Sequence, residues 1–140
     1  GMPTNVFSTF ANELGRDYRG TLDRFLMLEA QGSDHVRTEL RMLRDAVFEH
    51  GEPDPRVLCE GLSLLENSDL RAGLPTLAMP SLWLSGRRDR LVSPRAMQAA
   101  AAMAPQAHYV EIASGGHAPF LTHADEVVAA LAAFADAVPA

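Results

Sequence analysis

Two short stretches hold the residues best suited to chemistry. Gly86-Arg87-Arg88-Asp89-Arg90-Leu91-Val92 carries a carboxylate, and Ser114-Gly115-Gly116-His117-Ala118-Pro119-Phe120 carries an imidazole. A carboxylate beside an imidazole fixes the ring tautomer and stabilises the cation that forms when the ring takes a proton from a nucleophile. Taken singly, Asp89 reads as well as a turn cap, and His117 as the filler of a glycine-rich bend.

The flanking elements decide whether the two groups meet. Ser81-Leu82-Trp83-Leu84-Ser85-Gly86 is a short apolar run ending at a glycine, which predicts a buried strand. Ser93-Pro94 opens an alanine-rich helix to about Met103, and His108 to Ala113 has the β-branched and aromatic content of a second strand. Strand, helix, strand makes one parallel unit. Both loops then leave the carboxyl ends of the strands, where reactive groups of open parallel sheets collect. Neighbouring strands lie about 5 Å apart, within reach of an Asp89 to His117 contact. Thr122 and Asp125 resemble a capping box, and Val127, Leu131, Phe134 and Val138 line one face of a closing helix.

No nucleophile accompanies the pair. A serine elbow requires Gly-x-Ser-x-Gly at a tight strand-to-helix turn, and the nearest stretch, Gly61-Leu62-Ser63-Leu64-Leu65, lacks the second glycine and lies in a helical pattern. Ser63 is therefore structural, and Ser85, Ser93 and Ser114 fail the same test. His35, His50, His108 and His123 form no metal-binding motif, and no metal is expected.

From Thr21 to Asn67 apolar residues recur at helical spacing, which predicts three helices. Ser33 is the expected N-cap of the middle helix, and Asp54-Pro55 supplies the cap and first residue of the last. The middle helix should bury Val36, Leu40, Leu43 and Val47, and the third Leu58, Leu62 and Leu65; Gly32 and Gly51 punctuate the connections. Phe25, Leu26 and Leu40, at helical spacing, read as core. Arg37, Arg41 and Arg44, at i, i+4 and i+7, share one helix face. Pairing of Arg37 with Asp34 and of Arg41 with Asp45 would make this an ordinary solvated face, the repulsion amounting to only about 0.2 to 0.5 kcal/mol.

The 140 residues suit one domain, and 47% hydrophobic with 21% charged residues argues for a folded core. All 12 basic residues are arginine, a bias that reflects genome composition, and the net charge of -6 argues against nucleic acid as a partner. No apolar run of about 18 residues is present, so no membrane partner is expected, and no export signal is visible. Cys59 is alone, which favours a reducing, cytoplasmic location. Gly1-Met2 reads either as a residue placed before an initiator methionine or as a native pair at a cut site.

Acid then histidine, separated by a helix and a strand, is the second half of the serine, acid, histidine order of α/β-hydrolases. The loops around Asp89 and His117 resemble that superfamily's acid and histidine loops. Asp23-Arg24-Phe25-Leu26, the helix with Arg37 and Arg41, Gly61-Leu62 and Asp69-Leu70-Arg71 resemble the pimeloyl-acyl-carrier-protein methyl ester esterases of biotin synthesis. The likeness spans nearly the whole chain.

The resemblance implies the C-terminal part of an α/β-hydrolase fold, mostly helical by residue count. Residues 1–70 would be a helical lid, and 71–140 a β-α-β-α unit of the core with parallel strands. Asp89 and His117 would be catalytic, with the serine supplied by an absent N-terminal half, so this chain alone is expected to be inactive. No cofactor is implied. Arg37, Arg41 and Arg44 would bind an acidic acyl carrier protein, with a carrier-bound or small ester as substrate. Two strands leave apolar surface uncovered, which predicts self-association or pairing with that half. A lipase, haloperoxidase or carbon-carbon hydrolase remains open within the fold. A non-enzymatic module that binds an acidic carrier or an acyl chain remains open outside it.

Overall fold

A computed structural model describes residues 5–31, 34–49, 51 and 54–138. Four helices come first: α1 (Asn5–Leu14), α2 (Tyr18–Ala30), α3 (Val36–Phe48) and α4 (Pro55–Asn67). A short 3-10 helix (Arg71–Thr76) leads into β1 (Ser81–Gly86), α5 (Pro94–Ala101), β2 (Ala107–Ile112), a single turn α6 (Pro119–Thr122) and α7 (Ala124–Ala137).

The strands pair in parallel, from Ser81 opposite Ala107 to Gly86 opposite Ile112, and α5 packs against both. A cross-strand bond joins Ser85 Oγ and Tyr109 Oη at 2.7 Å, and Tyr109 also donates to the Pro94 carbonyl at 3.3 Å, fixing the start of α5 to the sheet. The register brings both strands to an end at the same rim, so the loops after Gly86 and Ile112 leave side by side.

Helix α1 begins ahead of the periodic region read from the sequence and packs on α2 and α4. Leu14 is 2% exposed, and the Phe10 and Phe25 rings meet at 5.1 Å. Helix α2 starts at Tyr18 because Asp17 caps it, its Oδ1 accepting from Gly20 N at 3.0 Å. The three expected helices are present. Ser33 lies outside the described residues, and α3 starts at Val36 after His35, which makes no side-chain cap. Asp54 caps α4 as expected, accepting from Arg56 N at 2.8 Å.

The burial pattern departs from expectation on three faces. Val36, Leu40, Leu43 and Val47 are half-buried, and the fully enclosed residue of α3 is Glu39. Leu58 and Leu62 are half-buried, but Leu65 is 65% exposed on a helix whose main neighbour is α1. Val127 and Phe134 on α7 and Val138 just after it are half-buried, while Leu131 is 51% exposed. Thr122 forms no capping box with Asp125: it belongs to α6, so the cap position of α7 falls to His123, and Thr122 Oγ1 instead meets His123 Nδ1 at 2.9 Å. Strand β1 is buried only at Ser85 and Gly86, since the sheet has two strands among the described residues.

Candidate active site

The two loops cross at a distance that only glycine permits. A Cβ on Gly86 would lie 2.1 Å from the Gly116 carbonyl oxygen and 2.3 Å from that of Gly115. Backbone bonds lock the crossing, with Arg87 N donating to Ile112 O at 2.9 Å and Arg88 N to Gly115 O at 3.0 Å. The chain then turns through Asp89 N to Gly86 O at 3.2 Å, which sets the Asp89 side chain towards the histidine loop.

Asp89 divides its two oxygens between two tasks. Oδ1 accepts from the backbone N–H groups of Leu91 and Val92, each at 2.8 Å, and Oδ2 lies 2.9 Å from His117 Nδ1. The Asp89 side chain is 5% exposed and that of His117 is 30% exposed. Burial pushes the Asp89 carboxyl up, but hydrogen bonds from His117 and from the amides of Val92 and Leu91, with the His117 charge, outweigh it and hold the group below its usual range. An ionised Asp89 is a pure acceptor, so Nδ1 carries the proton. Nε2 of a neutral His117 is then left as the acceptor, on a ring that solvent reaches.

The Asp89 hydrogen bond raises the proton affinity of His117. Burial opposes it, while the charges of Asp89, Glu29 on α2 and Glu39 on α3 add to it. Glu29 is half-buried, and its carboxyl is pushed up by burial, pulled down by His117, and pushed up again by Glu39 and Asp89. Sequence reasoning missed both glutamates. The available signal was Glu39 itself, a charge between Val36 and Leu40 on a stripe assigned to the core.

The arginine row is not uniform. Arg44 Nε pairs with Asp23 Oδ1 at 2.9 Å, and Asp34 bonds the Arg88 guanidinium rather than Arg37. Arg37 and Arg41 are exposed, and neither forms an ion pair among the described residues, so the Arg41 to Asp45 pairing is absent too. The Asp34 to Arg88 bond ties the start of the helical section to the loop carrying Asp89. Ser63 stands inside α4, where Asn67 Nδ2 bonds its carbonyl at 2.8 Å. Ser93 precedes α5 without a side-chain cap. Among the described residues, no three or more His, Cys, Asp or Glu side chains are grouped to hold a metal ion.

Parallel strands ending at one rim, with an acid on the first loop and a histidine on the second, define the C-terminal part of an α/β-hydrolase sheet. The chain belongs to the alpha/beta hydrolase family, whose profile matches residues 3–130. It is 61% identical over 133 residues to a pimeloyl-[acyl-carrier protein] methyl ester esterase of Stenotrophomonas maltophilia (strain K279a), covering 95% of this chain and 51% of that protein. It is 58% identical over 134 residues to the protein of that name from Xanthomonas oryzae pv. oryzae (strain MAFF 311018), covering 96% and 53%. The chain spans about half the length of the curated relatives it matches.

Solved structures give the same fold. An esterase from Exiguobacterium antarcticum superposes with a TM-score of 0.83 at 16% identity, over 98% of this chain and 50% of that one. A bromoperoxidase from Bacillus anthracis superposes with a TM-score of 0.77 at 21% identity, over 94% and 49%.

Proposed function

We propose that this chain is the C-terminal part of a serine-type carboxylic ester hydrolase that demethylates a pimeloyl-carrier-protein methyl ester in biotin synthesis. The observation that carries the reading is the division of labour at Asp89. One oxygen is anchored by two amides, the other is given to His117 Nδ1, and the opposite ring nitrogen is left to accept a proton. The names of the 61% and 58% identical relatives supply the substrate.

A serine from a segment outside this chain would attack the ester carbonyl while His117 takes its proton at Nε2. Asp89 stays ionised and stabilises the imidazolium. His117 then returns the proton to the departing methanol, and a water activated by the same nitrogen releases the acid. No cofactor enters. Residues 1–70 act as the lid and 71–140 as part of the core, in a cytoplasmic enzyme. Among the described residues, no helix is long and apolar enough to cross a membrane. Exposed Arg37 and Arg41 suit the acidic carrier, with Arg44 beside them held by Asp23.

The test joins this chain to the remaining half of the Stenotrophomonas maltophilia relative. The joined protein should hydrolyse a nitrophenyl acyl ester with a burst and demethylate the carrier-bound ester, and His117→Ala should abolish both. The unjoined chain should do neither. Hydrolysis by the unjoined chain, or a folded joined protein that binds carrier without turnover, would overturn the reading. The second outcome would favour a binding module.

A further inference from the structure

The helical section is a body attached to the core at two places. Its helices pack in series, α4 on α1, α1 on α2 and α2 on α3. The bonds of Arg24 to Glu13 and of Arg44 to Asp23, and the Phe10 to Phe25 ring contact, all stay inside it. Towards the core its principal packing, among the described residues, is α3 on α6, the turn that begins two residues after His117. The other attachment is the chain leaving α4. The 3-10 helix Arg71–Thr76 rests on α5 and so belongs with the core, which leaves residues 68–70 as the link. All three are exposed and outside any helix, and Asp69 bonds Arg71 close by. A cleft of about 960 Å³, lined by Asn67, Leu70, Leu74, Trp83, Ala100 and Met103, borders this link and leaves it room to bend.

Two consecutive residues ahead of α3 cross to the core. The Asp34 carboxylate bonds the guanidinium of Arg88, the residue before Asp89, and that bond holds Asp34 below the usual carboxylate range. The His35 ring meets the His123 ring at 5.6 Å. His123 is itself fixed to the histidine turn, its N–H donating to Pro119 O at 2.7 Å and its Nδ1 lying 2.9 Å from Thr122 Oγ1. One contact therefore lands beside the acid and the other just beyond the histidine.

We propose that Asp34 and His35 latch the helical section onto the two active-site loops, with Arg88 and His123 as the positioning residues that receive them and residues 68–70 as the hinge. With the latch closed, α3 lies on α6 beside His117. When it releases, α1 to α4 swing as one body and uncover the ring. The ion pair is half-exposed, so it shifts the balance between closed and open by up to about fivefold and yields to salt. The helices pack on one another more broadly than they grip the core, so the section moves before it unfolds. On the ester-hydrolase reading the opening would admit the ester and let the acid leave, but the latch is a property of this chain whatever the reaction.

The test needs neither serine nor substrate. Modification of His117 by diethyl pyrocarbonate, located by mass spectrometry with the ring neutral, should quicken by about two- to fivefold in Arg88→Ala and in Asp34→Ala. Arg88→Lys keeps the charge and should restore most of the parent rate. Added salt should quicken the parent and leave Arg88→Ala unchanged. His35→Ala should also quicken the reaction, while His35→Phe, which keeps a ring against His123, should not. Arg87→Ala is the control, because its pair with Glu111 stays at the sheet rim. Amide hydrogen exchange within α1, α2 and α4 should match the parent in every variant, since the body moves whole. Unchanged His117 reactivity in folded Arg88→Ala and Asp34→Ala would overturn the inference even if the joined enzyme proved an esterase. Faster exchange throughout α1, α2 and α4 would overturn it too, by showing unfolding in place of a swing. Quickened His117 with quiet helices would uphold it even if the joined protein were inert.

Discussion

His117 Nδ1 lies 2.9 Å from Asp89 Oδ2, while Asp89 Oδ1 is held by the amides of Leu91 and Val92 at 2.8 Å. The anchoring bonds and the bond to His117 are thus on different oxygens. Asp89→Asn keeps an oxygen for the two amides but sets an N–H against Nδ1, forcing the wrong tautomer. In the joined enzyme kcat should fall by about 10⁴-fold, as expected when the acid of such a triad is made neutral. The urea midpoint should move far less than the activity. A kcat within tenfold of the parent would remove Asp89 from the mechanism.

The same pair sets two limbs of stability against pH. His117 has its proton affinity raised by Asp89, so its contribution is fully present below the ordinary value of 6.5 and is lost as pH rises through its higher folded value. Asp89 is lowered by its hydrogen bonds, so its contribution is present above 3.8 and is lost as pH falls through its lower folded value. Urea denaturation across pH should show stability falling on both sides, and His117→Gln should flatten the upper limb. An upper limb unchanged in that variant would assign it to other groups. In the joined enzyme kcat/KM should rise with pH through the same raised histidine value, since only the neutral ring accepts a proton.

Gly86 sets the crossing of the two loops. Its Cβ would meet two backbone carbonyl oxygens, which have no rotamer with which to retreat. Gly86→Ala should destabilise the chain by about 1–3 kcal/mol or more, read from the urea midpoint, and should weaken the Asp89 to His117 contact. The His117 titration midpoint should therefore fall towards its ordinary value. A stable variant with an unchanged midpoint would mean that the loops shift apart without consequence.

These relationships differ in how far sequence reveals them. The pair Asp89 and His117 was legible because it follows from local signals: two short strands, a helix between them, and glycines at the turns. Asp54-Pro55 was legible for the same reason. The enclosure of Glu39 was not, because it depends on how α3 packs against its neighbours, and helical periodicity assigns faces without naming the partner. Leu65 and Leu131 were misassigned to buried faces because a stripe records what is apolar, while burial depends on the width of the cover. The Asp34 to Arg88 pair takes the carboxylate that the sequence offered as a partner for Arg37, because chain spacing says nothing of a loop 54 residues on.

Uncovered apolar surface predicts association. Val57, Leu64, Leu65 and Leu70 are 62 to 77% exposed on and after α4, and Val128 and Leu131 are 61 and 51% exposed on α7. Isolated apolar residues are ordinary at a surface, but runs on two helices beside a two-stranded sheet are not. Light scattering of the chain alone should give a mass above 15.1 kDa. A stable monomer would show that the chain covers these faces by itself.

The arginines of α3 separate into two kinds, and the separation is testable. Arg44 is held by Asp23 in an exposed pair, worth about 0.2 to 1 kcal/mol at most, and has less freedom to meet a partner. Arg37 and Arg41 are exposed without an ion pair among the described residues. In the joined enzyme, replacing both by alanine should raise KM for the carrier-bound ester by about tenfold or more, because each lost contact to a carboxylate or phosphate removes about 1 kcal/mol. A small soluble ester never touches that surface and should be hydrolysed at the parent rate. Arg44→Ala should have the smaller effect on the carrier substrate. Equal loss on both substrates in the double variant would mean that the row supports the fold of α3 rather than the docking of a carrier, and the carrier assignment would then rest on the relatives' names alone.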